Sequence, residues 1–307
     1  MLPMLHSAIH VLLALLWPPL LIGTINKTKA FFGGRQGPPL LQPYFDVWRL
    51  LRKGTVQSRV TTWLFRFGPV VGLTVALAAA LMIPLGRPRA PISFHGDVLL
   101  FVYLLVLGRF FLVLASLDTG SAFEGMGVAR EITFACLAEP AFFFCLLVLA
   151  RLTGQLSTAG MFTGPGPPDW QHHAAPLLLI LTSLFLLMLA ENCRIPFDDP
   201  NTHLELTMIH EVIILDHSGP MLALLQLAAA LKQFIFSALL VRLIVPLDAA
   251  GPLFAWPLVA ACTLVVAVLV GVVESVMARL RMPLVPHMLT AANVVAAFGF
   301  ILLVIPS

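Results

Sequence analysis

Apolar runs about as long as a membrane crossing alternate with polar connections along this chain. A spanning helix needs about 20 predominantly apolar residues. Eight stretches qualify: 4–25, 63–84, 97–117, 132–153, 174–191, 220–245, 253–275 and 284–305. Pro18 and Pro19 interrupt the first and are expected to bend or end it. Only the connections 26–62, 154–173 and 192–219 are long, and the second holds a turn-rich run at 163–168. The pattern predicts an all-α polytopic membrane protein with about eight transmembrane helices, a single membrane domain over 1–307.

Composition agrees. Hydrophobic residues make up 59% of the chain and charged ones 11%, with mean hydropathy +0.97. A soluble domain is roughly 45–50% apolar and about 25% charged, so one water-facing core is excluded. The net charge of +3 is small and the basic residues are bunched, which points to topology and not to nucleic acid. Lys27, Lys29, Arg35, Arg49, Arg52, Lys53 and Arg59 crowd 26–62 against one acid, Asp46. The positive-inside rule then sets loops 26–62, 118–131, 192–219 and 276–283 on the cytoplasmic side of the cell (inner or plasma) membrane, with both termini outside. The first apolar stretch lacks a basic n-region and a small-residue cleavage site, so it is expected to be retained. Cys136, Cys145, Cys193 and Cys262 are scattered without a Cys-x-x-Cys pair. Neither a disulfide framework nor an iron–sulfur or zinc site is expected on this chain.

Against this background the charged exceptions stand out. Arg109, Glu139, Lys232 and Glu274 fall inside apolar runs. Charge at membrane depth costs at least about 2.5–3.5 kcal/mol on insertion scales. Such residues are either structural ion pairs that fix helix packing or a hydrated polar file that moves protons. The stretch 191–220 adds Glu191, Asp198, Asp199, Glu205, Glu211 and Asp216. Pro196 and Pro200 stop helical continuation there, and Glu205 and Glu211 on an apolar background predict a short half-buried acidic helix ending at Ser218-Gly219-Pro220. Crowded carboxylates in low dielectric are expected to shift upward in pKa and to hold a proton near neutrality; Asp199 fits a plain solvated loop. His203, His210 and His217 recur every seven residues, but without a His-Glu-x-x-His motif they suit proton relay or surface contact better than a metal. The run from Asp46 to Lys53 predicts an interfacial helix, a docking face for a soluble partner, or both. A stand-alone transporter is the competing class; the internal repeats common in such proteins are not visible.

Several ordered motifs resemble one family. Arg35-Gln36-Gly37-Pro38 with Leu41-Gln42 and Asp46, Gly108-Arg109-Phe110-Phe111, and Leu117-Asp118-Thr119-Gly120-Ser121 are the first group. Gly127, Arg130-Glu131 and Glu139-Pro140 follow, then Glu191, Pro196-Phe197-Asp198, Glu205-Leu206 and Ser218-Gly219. Leu231-Lys232-Gln233 and Glu274-Ser275 with Met277 to Arg281 complete the set. Together they resemble the membrane subunit shared by respiratory complex I, where it is subunit 1, and the energy-converting group 4 NiFe hydrogenases. The likeness is greatest to the formate hydrogenlyase and hydrogenase-4 branch.

The resemblance implies an anchor without a redox centre of its own. It would sit beneath a hydrogenase-like large subunit with a NiFe centre and a small subunit with iron–sulfur clusters, beside antiporter-like membrane subunits. It implies proton or sodium coupling by Glu139, Glu191, Asp198 and Glu205, and the charges Glu211, Asp216, Lys232 and Glu274 are expected to join them. Subunit contacts are implied for Arg35, Asp46, Arg130 and Glu131, and are expected for Arg109 and Asp118 as well. The chain departs from the family where acids would precede Glu205, having Asn201, Thr202 and His203, and has Asp216-His217 for a Glu-Tyr pair. An arginine-rich quinone-entry stretch after the seventh span is replaced by 278–288, which weighs against quinone reduction. A quinone-reducing or ferredoxin-oxidising complex on the same scaffold is the alternative.

Overall fold

The computed structural model describes residues 2–86, 90–163, 170–198, 208–245, 251 and 254–304. Its helices in order are α1 (Leu2–Leu16), α2 (Pro18–Phe32), α3 (Gln42–Leu51), α4 (Trp63–Ala80), α5 (Asp97–Leu117) and α6 (Ala122–Thr153). There follow α7 (Thr158–Thr163), α8 (Ala174–Glu191), α9 (His210–Ile213), α10 (Gly219–Ile244), α11 (Ala255–Val276) and α12 (Val285–Val304). Among the described residues seven are long and apolar enough to cross a membrane, and α1 with α2 forms an eighth, broken span. The fold is that of an all-helical, multi-pass membrane protein.

The two prolines bend the first span by 42° but do not end it. They take the first positions of α2, where a missing N–H leaves no hydrogen bond unmade, and the helix runs on past the expected limit at 25 to Phe32. The chain then folds back along α2. A Cβ at Gly23 would lie 2.0 Å from the Leu40 carbonyl oxygen, so this backbone approach requires glycine. The expected amphipathic helix is present as α3, packed on α2 and α10, with Phe45 and Trp48 exposed and Arg52 over the Trp48 ring.

The main departure concerns α6. A loop is expected over 118–131, but the helix starts at Ala122 and runs 32 residues, about 48 Å. The polar residues of its first turns, which read as loop, are satisfied by other segments. Arg130 donates to the Met208 carbonyl at 2.9 Å, and buried Glu124 accepts from the Thr119 hydroxyl and from the Asp216 N–H at 3.3 Å. No proline falls between 122 and 131 to break the helix.

At the centre stands α10, buried almost continuously from Ala230 to Leu243 and packed against α2, α3, α4, α8 and α11. At the end of the bundle opposite residues 192–198, Asp97 is fully buried. It accepts from the Thr158 N–H (2.6 Å), the Ser157 hydroxyl (2.9 Å) and the Phe94 N–H (3.1 Å), fastening α7 over that end.

Candidate functional site: an ion cluster inside the bundle

Four helices contribute charges to one cluster around the Arg109 guanidinium. Arg109, on α5, donates from one terminal nitrogen to Glu139 Oε1 of α6 at 2.8 Å. Its other terminal nitrogen reaches both oxygens of Glu191, the last residue of α8, at 2.6 and 2.5 Å. Its Nε lies 3.4 Å from Glu131 Oε1, an ion-pair distance without hydrogen-bond alignment. Lys232, from α10, sets its Nζ 2.6 Å from Glu191 Oε2. Arg109 and Glu191 side chains are 11% exposed and Glu139 36%, so the cluster is shut in on one side and open on the other. Carboxylates here are held by cations at contact distance; the mutual crowding expected from the sequence is met by pairing.

Aromatic rings close the cluster on its α7 side. Phe142 packs on Phe236 at 5.5 Å and on Phe101 at 6.3 Å between ring centres. Between these rings and Arg109, Glu139 and Glu191 lies a cavity of about 20 Å³, room for about one water. On the other flank of Glu139 a groove of about 450 Å³ opens sideways, lined by Cys136, Pro140, Phe143, Phe144 and Leu147.

A second set of pairs lies where residues 194–198 and 209–210 meet α2 and the end of α11. Asp198, 1% exposed, is 2.8 Å from Arg279 and accepts from the backbone N–H groups of Ile209 (3.1 Å) and His210 (3.4 Å). Glu274, wholly buried, lies 2.9 Å from Lys29 and 3.4 Å from Arg194. The Leu280 N–H donates to the Pro196 carbonyl at 2.9 Å, closing the same corner. The structure therefore separates Asp198 and Glu274 from Glu139, Glu191 and Lys232, with which the sequence grouped them.

The remaining expected residues scatter. Glu205, with Asp199 and His203, lies outside the described residues. Glu211 is half-buried on α9, which is four residues long in the described segment, and the Asp216 side chain is exposed. Of the expected contact residues, Arg109 and Glu131 sit inside the cluster. Asp118 accepts from the Thr62 N–H (2.6 Å) and hydroxyl (2.8 Å), tying α5 to the start of α4. Asp46 pairs with Gln42 and Arg49 on its own helix, Arg130 holds the Met208 carbonyl, and Arg35 is exposed.

One buried acid escapes the sequence reading, and His217, expected as a proton relay or surface contact, is buried. Glu124 resembles an ordinary first-turn acid, and only its burial against Thr119 and Asp216 sets it apart. His217 packs its ring on Phe65 at 4.1 Å, and burial lowers its pKa to about 4. Burial also lowers His210 and raises Cys193 well above the ordinary thiol value.

The chain is 30% identical over 298 residues to hydrogenase-4 component C of Escherichia coli, covering 95% of this chain and 93% of that protein. It is also 30% identical over 307 residues to formate hydrogenlyase subunit 4 of the same organism, covering 96% and 95%. Its fold matches, at TM-score 0.84 and 20% identity, a chain of the membrane-bound sulfane sulfur reductase, an archaeal respiratory membrane complex, over 98% of this chain and 99% of that one. The family model described as NADH dehydrogenase matches residues 5–305, and the chain belongs to that family.

Proposed function

We propose that this chain is the membrane-anchoring, ion-coupling subunit of an oxidoreductase complex of the hydrogenase-4 or formate hydrogenlyase type. The carrying observation is the shared cluster. Three carboxylates meet two cations across four helices, so one added proton brings the formal charge to zero. A group of that kind takes up and releases a proton without leaving a lone charge at depth, the costly outcome in a membrane. Near-full-length similarity to two hydrogenase-complex subunits supports the choice of complex. In this reading residues 192–218 face the cytoplasm beneath a soluble arm. The arm's large subunit carries a NiFe centre and its small subunit iron–sulfur clusters, while this chain holds no redox centre. Proton or sodium movement is completed in antiporter-like neighbours.

Affinity purification from the native membrane tests the assignment. A co-purifying large subunit with nickel and an iron–sulfur small subunit is the expected result; a chain that purifies alone and takes up a solute overturns it. Glu139→Gln and Glu205→Gln are expected to leave the complex assembled while lowering ion-coupled turnover. Wild-type coupling in both sinks the role given to these carboxylates.

A further inference from the structure

The cluster is not closed by its own chain. Glu139 is the eighteenth of the 32 residues of α6. It therefore lies about 21 Å short of the helix's far end, within the span of a hydrocarbon core about 30 Å thick. Yet its side chain is 36% exposed and lines the sideways groove. Cys136, Pro140, Phe143 and Leu147 recur at i, i+4, i+7 and i+11, so the groove follows one outward stripe of α6.

The groove offers acceptors. Pro140 sits inside the helix and has no N–H to give the Cys136 carbonyl one turn earlier. Beside it is the Glu139 carboxylate, whose cluster carries one formal negative charge in excess. Acyl chains supply neither a donor nor a cation, and polar groups facing lipid without partners are costly.

We infer that the α6 groove seats a transmembrane helix of a neighbouring membrane subunit, one that presents a cationic or hydrogen-bond-donating side chain to Glu139. This rests on the reading of the chain as part of a multi-subunit membrane complex. It adds which surface meets the membrane neighbour and what chemistry the neighbour brings. Side chains that donate hydrogen bonds between transmembrane helices are a known source of helix association.

The test uses the intact complex with p-benzoylphenylalanine placed at Phe143 in the groove and, as an interior control, at fully buried Phe101. Irradiation is expected to join the Phe143 position to a membrane-spanning partner chain and the Phe101 position only to this chain. Adducts at the Phe143 position with lipid alone, with a soluble subunit or with a second copy of this chain overturn the inference. The donor is tested by charge: Glu139→Lys is expected to cut the cross-linked yield about tenfold, and Glu139→Gln by less, in that order. Equal yields from both variants and wild type overturn the donor. Failure here differs from failure of the proposed function: if no complex co-purifies, the functional reading falls first. If the complex is intact and the Phe143 position meets only lipid, the groove assignment alone falls.

Discussion

The cluster around Arg109 and the pairs around Asp198 and Glu274 use the same residue types to different ends. At Asp198, one carboxylate meets one guanidinium and two backbone N–H groups, and it holds together the 192–198 and 209–210 segments. These partners lie in that corner, and the result is a staple. At Arg109, one guanidinium is divided among three carboxylates from α6 and α8, the count is left one charge short, and two cavities open beside it. Burial does not set the two groups apart as access does, since Asp198 and Glu274 are more buried than Glu139, whose side chain is 36% exposed. Charge sets them apart by sign: three cations meet two acids at Asp198 and Glu274, and three acids meet two cations at Arg109.

The sharpest break in this comparison comes from Arg109→Met. It strips the shared cation from three acids, and removing one partner of a buried pair costs about 3–5 kcal/mol. Loss of a folded, monodisperse chain on size-exclusion chromatography in detergent is expected. Survival at wild-type thermal stability would mean that the acids are held some other way. Next, Glu191→Gln is expected to lower ion-coupled turnover by about tenfold with the complex assembled, whereas Asp198→Asn stays within about twofold. Equal effects would erase the distinction between working cluster and staple. Arg279→Met is then expected to cost about 1–3 kcal/mol, less than Arg109→Met, because Asp198 keeps its two backbone donors; thermal unfolding reads the difference.

The smallest effect concerns pH. Burial lowers His217 from its ordinary 6.5 to about 4. Between those values the unfolded chain binds a proton that the folded chain excludes, so stability is complete above pH 6.5 and declines as pH falls toward 4. The slope from this group is at most about 1.4 kcal/mol per pH unit. His217→Gln is expected to flatten the melting-temperature profile in that window, and an unchanged profile would locate the acid sensitivity elsewhere.

Much of the fold was legible because lipid imposes one long apolar run per crossing; α5 and α8 match their expected limits residue for residue. The early start of α6 was not legible. Arg130 and Glu124 look like loop residues until Met208 and Asp216, distant in sequence, are seen to satisfy them. Arg109 and Glu139 stood out because charge in an apolar run needs a reason. Glu131 did not, since its run reads as polar, and the motif reading set it at a subunit contact.

Sequence by itself determined the class of the protein and the approximate positions of its spans, because those follow from composition and run length. Which acid meets which cation was decided only by the fold. An ion pair is made across helices 30 to 82 residues apart, as Arg109 with Glu139 and Glu191 shows, and no local pattern encodes that distance. Helix packing turned one list of carboxylates into two groups, a buried set held by an excess of cations and a partly open cluster with an excess of acid.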